Sequence, residues 1–199
     1  MSTTALKAVR YGAYALIGVL ALVWAAFGLG LFGRADGPVY GHKSVGSFRL
    51  VDQDGNAVTE RAVIGRPAIV FFGFTYCPDV CPTTLTAMTA LLSRLGTDSD
   101  KVSAYFVTVD PDRDTPAVLK AYLSSFDRRI HGLTGPADQV AAIAKPLGVY
   151  YARAGSGDNY SMDHTASMFL LDADGRLRGT IAYGEDAGVA EAKVRALLR

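Results

Sequence analysis

Residues 67–82 read Pro-Ala-Ile-Val-Phe-Phe-Gly-Phe-Thr-Tyr-Cys-Pro-Asp-Val-Cys-Pro, and this stretch constrains the fold more than any other in the chain. The apolar run from Ala68 to Phe74 is short and opens after a proline, the pattern of a strand buried on both faces. A tight loop follows, and a helix is expected to open near Pro82, because proline is tolerated in a first helical turn. Open α/β sheets place ligand chemistry at such strand-to-helix loops. This one holds Cys77 and Cys81, the only two cysteines among 199 residues.

Should both cysteines lie on or near the first helical turn, their i, i+4 spacing sets the Cβ atoms roughly 5–6 Å apart on one face. That separation suits a shared metal ion, and it also suits a disulfide. A helix N-terminus lowers thiol pKa and so favours the thiolate that either task needs. A structural disulfide or a pair of inert core thiols is the plainer account. The position at a strand-to-helix loop argues for reactive sulfur instead.

The rest of the chain alternates. Residues 47–58 form a hairpin around an Asp54-Gly55 turn. After the cysteines, Leu85, Met88, Leu91, Leu92 and Leu95 recur at helical spacing, with Gly96 as the cap. The spacing explains Met88 as core. Val102–Val109 is a second buried strand, ending in Asp110-Pro-Asp-Arg-Asp-Thr115-Pro116. Three carboxylates in five residues invite a hard-metal reading, but Thr115 as N-cap and Pro116 after it start a helix to about Phe126, with acidic residues favoured at its positive end. His131 sits on a short strand and reads as structural or solvated. A helix over 136–148 should end or kink at Pro146. Residues 153–162 read as a mobile polar loop. Asp163 and His164 follow it, then a strand over 165–171, an Asp172-Ala-Asp174-Gly175 turn, a returning strand over 177–183 and a closing helix. That Asp-Gly turn is too short for a calcium loop.

Tyr11 to Phe32 is a run of 22 residues without a charge. A bilayer-spanning helix needs about 20 apolar residues, whereas a secretory signal has a shorter apolar core of about 7–15. An uncleaved membrane anchor over 11–32 is therefore expected, with a linker over 33–44 that includes His42 and one domain over 45–199. Lys7 and Arg10 precede the run, so residues 1–10 are expected in the cytoplasm and the domain outside it. That compartment is the periplasm of a bacterium, with the anchor in the inner membrane, or a mitochondrial intermembrane space. From residue 41 onward 17 basic side chains face 18 acidic ones, which argues against a nucleic-acid surface. Gly28-Leu-Gly30-Leu-Phe-Gly33 spells a dinucleotide fingerprint but ends an apolar helix and follows no strand.

Alternating strands and helices followed by a hairpin and helix describe an α/β, thioredoxin-like sandwich with an N-terminal hairpin, preceded by a single transmembrane helix. In that plan the strand after His164 runs antiparallel to the strand before Cys77. His164 then meets Cys77 and Cys81 at the mouth of the sheet. Two thiolates and an imidazole are a soft, three-donor set that selects Cu(I), with Zn as a competitor that prefers a fourth protein ligand. Binding is expected to weaken as pH falls through the region near 6.

Thr75-Tyr-Cys77-Pro-Asp-Val-Cys81-Pro, Val109-Asp-Pro-Asp-Arg-Asp-Thr-Pro116 and Asp163-His164-Thr-Ala-Ser-Met-Phe resemble, in order, three signatures of the Sco/SenC family of copper chaperones for cytochrome oxidase. The resemblance implies that Cys77, Cys81 and His164 bind copper, as Cu(I) with Cu(II) left open. It also implies a partner, the binuclear copper centre of oxidase subunit II, and leaves room for other periplasmic copper chaperones. The cysteine pair is further implied as a reductant of that partner's thiols. A thiol-disulfide oxidoreductase or thiol peroxidase, with Cys77 as nucleophile and Cys81 as resolving thiol, is the alternative.

Overall fold

In the computed structural model, which describes residues 3–28, 43–157 and 159–199, every residue of the strand ahead of the cysteines is buried. The chain divides into two units, Met1–Gly37 and Pro38–Arg199. In the first, α1 (Thr3–Gly28) carries exposed Leu16, Ile17, Val19, Leu20, Leu22 and Trp24. Among the described residues no helix is long and apolar enough to cross a membrane. The expected 11–32 span outruns the described part of α1. Residues 29–32, the linker up to His42, and Gly30 and Gly33 of the discarded fingerprint lie outside the described residues.

The second unit runs β1 (Arg49–Asp52), β2 (Ala57–Thr59), β3 (Ala68–Gly73), α2 (Val80–Leu95), β4 (Ser103–Thr108), α3 (Pro116–Leu123), β5 (Ile130–Thr134), α4 (Ala137–Leu147), β6 (Tyr151–Ala154), β7 (Ser161–His164), β8 (Met168–Leu171), β9 (Leu177–Ile181) and α5 (Ala187–Leu197). The main sheet has seven strands in the order β2-β1-β5-β4-β3-β8-β9. β3 lies inside it, parallel to β4 and antiparallel to β8, with Phe71 opposite Met168. A central strand covered by helices loses water from both faces, which is why Ala68–Gly73 is continuously apolar. The thioredoxin-like arrangement expected from the alternation is what the chain adopts.

Local signals explain most boundaries. Gly55 sits at φ +85° in the β1–β2 turn, a conformation that costs glycine nothing. Leu85, Met88, Leu91, Leu92 and Leu95 are the buried stripe of α2, and Gly96 caps it at φ 59°. Thr115 caps α3 by accepting from the Val118 N–H, with Pro116 following. Pro146 stands one residue from the end of α4, and Gly148 closes the helix in the left-handed region.

Three expectations need correction. α2 opens at Val80, so only Cys81 is helical and Cys77 stays in the loop. The expected polar loop over 153–162 is largely a hairpin: β6 pairs with β7 from Tyr151↔His164 to Ala154↔Ser161 and forms a two-stranded sheet of its own. His164 is therefore the last residue of β7, and the next strand begins only at Met168. Gly and Ser in residues 155–157 marked a loop, and the short polar strands around it lack the apolar alternation that would have revealed them.

Candidate metal centre

Cys77 follows β3 in a turn whose N–H donates to the Phe74 carbonyl at 3.3 Å. Its Sγ accepts the Cys81 N–H at 3.4 Å, so one of the unpaired N–H groups at the start of α2 points at this sulfur. Cys81 lies within the first turn of α2 and is wholly buried. The room for its sulfur comes from Gly73: a Cβ there would stand 2.7 Å from Cys81 Sγ and 2.8 Å from Phe106 Cε2.

His164 arrives from the far side, carried by β7. Its Nε2 lies 3.3 Å from Cys81 Sγ and its Nδ1 3.1 Å from the Thr165 carbonyl oxygen. A carbonyl can only accept, so Nδ1 holds the proton and the Nε2 lone pair faces the sulfurs. The Phe71 and Phe74 rings meet the imidazole edge-on at 6.0 and 5.9 Å. Burial pushes the His164 pKa below its ordinary 6.5, and burial pushes the Cys81 thiol well above its ordinary 9.0. Both groups are therefore neutral at pH 7, and the Cys81 thiol donates to the imidazole.

The sulfurs of Cys77 and Cys81 and a ring nitrogen of His164 all lie within 4.8 Å of one another. Thiolate and imidazole donors bound to a common ion at about 2.3 and 2.0 Å stand roughly 3.5–4.4 Å apart. Sub-ångström to ångström side-chain shifts would therefore close the set on a cation. The donors are soft, and the group contains no carboxylate. That chemistry fits Cu(I) or Zn and not Mg or Ca. An open pocket lined by Phe74, Cys77, Val80, Tyr150, Met162 and His164 leads to the donors. Cys77 and His164 line it and are only partly covered, while Cys81 is sealed behind them.

The acidic run after β4 turns out to be scaffold. Asp114 is fully buried and accepts from the Thr75 N–H at 3.0 Å, the Thr75 hydroxyl at 2.5 Å and the Thr108 hydroxyl at 2.6 Å. It thereby ties down Thr75, two residues before Cys77. His131 is exposed on β5, and Met88 is buried core, as their sequence contexts indicate. Among the described residues, Cys77, Cys81 and His164 are the one group of metal-capable side chains so arranged. Gly73 and Asp114 escaped the reading of the sequence. A glycine in a strand is a signal for close approach, but nothing local shows that the approaching atom is a sulfur.

A thioredoxin-like domain with two cysteines at a strand-to-helix turn and a histidine closing on them from a separate hairpin defines a class of thiol-imidazole metal-site proteins. The chain belongs to the SCO1/SenC family, whose model matches residues 38–199. It is similar to the solved structure of Bradyrhizobium japonicum ScoI with copper bound, at 42% identity over 77% of this chain and 99% of that one, with a TM-score of 0.71. It is also similar to yeast Sco1 with copper bound, at 35% identity over 77% of this chain and 87% of that one, with a TM-score of 0.70. A SCO2-like protein of Rickettsia felis is 40% identical over 134 residues, 66% of this chain and 65% of the relative. The match thus spans just under two thirds of that relative's length.

Proposed function

We propose that this chain is a membrane-anchored, copper-binding assembly factor for cytochrome c oxidase. Cys77, Cys81 and His164 take one copper ion as cargo and pass it to the binuclear copper centre of subunit II. The observation that carries the copper reading is the convergence of three soft donors within 4.8 Å, two of them, Cys77 and His164, lining an open pocket. Three protein ligands leave a coordination position through which a partner's ligand can attack the ion before the first donors release it. The copper-bound state of the similar ScoI and Sco1 structures supports the same choice of metal.

Loading proceeds by loss of the Cys81 proton and any proton on Cys77, while His164 coordinates through Nε2 without having to lose one. The test is direct. Reduced full-length chain, titrated with Cu(I) against a chromogenic chelator, should bind one ion, and the Cys77→Ser/Cys81→Ser double variant none. Unchanged affinity in that double variant overturns the reading.

A second reading rests on Cys77, the sulfur that lines the pocket and accepts the Cys81 N–H. In it Cys77 attacks a partner disulfide, Cys81 resolves the mixed disulfide, and two electrons and two protons reduce the partner's two sulfurs to thiols. The cysteines of this chain end as a disulfide. Turnover of a disulfide substrate by metal-free protein would favour this reading, and its absence would count against it.

The anchor over 11–32, the cytoplasmic residues 1–10, the linker 33–44 and the exported domain 45–199 belong to the same proposal. The exposed apolar side chains of α1 support it. Retention of the chain in the membrane fraction after alkaline carbonate extraction is expected, and its release would remove the anchor from the proposal.

A further inference from the structure

The hairpin that carries His164 is hydrogen-bonded mostly within itself. The Thr165 N–H donates to the Tyr150 carbonyl at 2.9 Å, and the Tyr150 N–H to Thr165 Oγ1 at 3.0 Å. Among the described residues, its hydrogen bonds to the rest of the domain run from Arg113 to Tyr160, from Tyr160 to Asp110, and between Cys81 and His164. Apart from the bond within the metal centre, the hydrogen-bonded attachment therefore passes through Tyr160, four residues before His164, beside the apolar packing of Tyr151 and Met162 against the core.

Arg113 lies at the middle of this attachment. Its side chain is 17% exposed, and its Nε donates to Asp110 Oδ2 at 2.5 Å. Its Nη1 donates to the Tyr160 carbonyl at 2.9 Å. The guanidinium carbon also stands 3.6 Å from the centre of the Tyr160 ring and 4.7 Å from that of Tyr76, the residue next to Cys77. The Tyr160 hydroxyl completes the set by donating to Asp110 Oδ1 at 2.6 Å. Asp110 is itself almost wholly buried, and its N–H donates to Thr108 Oγ1 at 2.9 Å. A planar, always-charged fork can donate in its plane and stack over aromatic rings at the same time, which an ammonium cannot do. Arg113 Nη2 is buried without a hydrogen-bond partner among the described residues, so the guanidinium is held by its Nε and Nη1 bonds and by the two rings it faces.

We propose that Arg113 is the positioning residue of the third metal ligand. It pins the hairpin tip at Tyr160 to a buried carboxylate, and so sets the distance between His164 and the two sulfurs. The inference rests on the metal-site reading of Cys77, Cys81 and His164. Arg113 acts through its bond to Tyr160, whereas the cysteine turn is tied down separately by Asp114 at Thr75, so loss of Arg113 leaves the cysteine floor intact and frees the histidine arm.

The test uses the full chain as wild type, Arg113→Gln, Arg113→Lys, His164→Ala and the Arg113→Gln/His164→Ala double variant. Cu(I) affinity is read by chelator competition, and backbone amide exchange by NMR on metal-free protein. Arg113→Gln should weaken Cu(I) binding by about 10–100-fold, the range that outer partners of a ligand command. Arg113→Lys should fall between it and wild type. The double variant should bind no more weakly than His164→Ala, because Arg113 matters only through that ligand. In metal-free Arg113→Gln, amides of residues 161–164 should exchange faster while those of β3 and β4 stay unchanged. Wild-type affinity in Arg113→Gln, full additivity in the double variant, or unchanged hairpin exchange each overturns the proposal. If the wild-type chain takes up no copper, the metal reading fails and amide exchange alone decides the role of Arg113. If Arg113→Gln does not fold, Tyr160→Phe, which loses only the bond to Asp110, carries the same comparison with a smaller effect.

Discussion

Cys81 and His164 meet across 3.3 Å, yet they belong to very different parts of the molecule. Cys81 stands in the first turn of α2, whose buried stripe lies in the core of the domain. Its sulfur occupies the space left by Gly73 of the innermost strands. His164 ends a two-stranded hairpin that pairs with no strand of the main sheet. One donor is thus fixed by the core, whereas the other is held by an arm with few bonds to the body. The proposed role as a copper carrier would profit from that division: the floor stays formed, and the arm's ligand can leave first.

The largest test of this contrast compares the two ligands directly. Cys81→Ala should abolish measurable Cu(I) binding, whereas His164→Ala should keep one-ion stoichiometry at an affinity lowered about 100-fold or more, beyond what outer partners command. Equal losses in chelator competition would erase the distinction between floor and arm. Next comes Gly73→Ala. Its Cβ would overlap Cys81 Sγ and Phe106, and overpacking of this kind costs about 1–3 kcal/mol. Urea denaturation should show that loss, and Cu(I) affinity should fall with it because the sulfur must move.

Asp114→Ala sharpens the comparison from the cysteine side. It strands the Thr75 N–H and the Thr75 and Thr108 hydroxyls, and unpaired buried groups cost about 1–3 kcal/mol. The loss should appear in urea unfolding, with faster amide exchange at residues 75–77 and little change in β7. The smallest effect concerns pH. The Cys81 pKa is raised, so its proton must be displaced across the neutral range, and apparent Cu(I) affinity should fall about tenfold per unit of pH decrease from that group alone. The His164 pKa is lowered, so its proton competes only below its ordinary 6.5. The pH profile should therefore steepen only once pH falls below 6.5. A slope that is identical in His164→Ala down to pH 5 would remove the histidine from the ligand set.

Much of this was legible in the chain itself. The α2 stripe, the Thr115–Pro116 helix start and the Asp54-Gly55 turn are local signals, and each is realised where its chemistry demands. The candidate ligands were also readable, because reactive residue types are few: two cysteines and three histidines in the whole chain. What stayed hidden is non-local. Arg113 and Asp114 look like helix-entry residues, and no periodicity marks Tyr160 or Thr75 as their partners 47 and 39 positions away. The β6–β7 hairpin was missed because its strands are short, polar and half exposed, so burial leaves no pattern on them.

By itself the sequence determined the strands and helices of the core, though not the β6–β7 hairpin, and which side chains are soft enough to hold copper, because propensity, capping and donor chemistry are properties of neighbouring residues. Only the tertiary structure decided that Cys81 is sealed while Cys77 and His164 stay reachable, that the imidazole presents Nε2, and that the two halves of the site differ in how firmly they are held. Those properties depend on atoms brought together across 83 residues of chain, and burial and contact over such a span exist only once the sheet has closed.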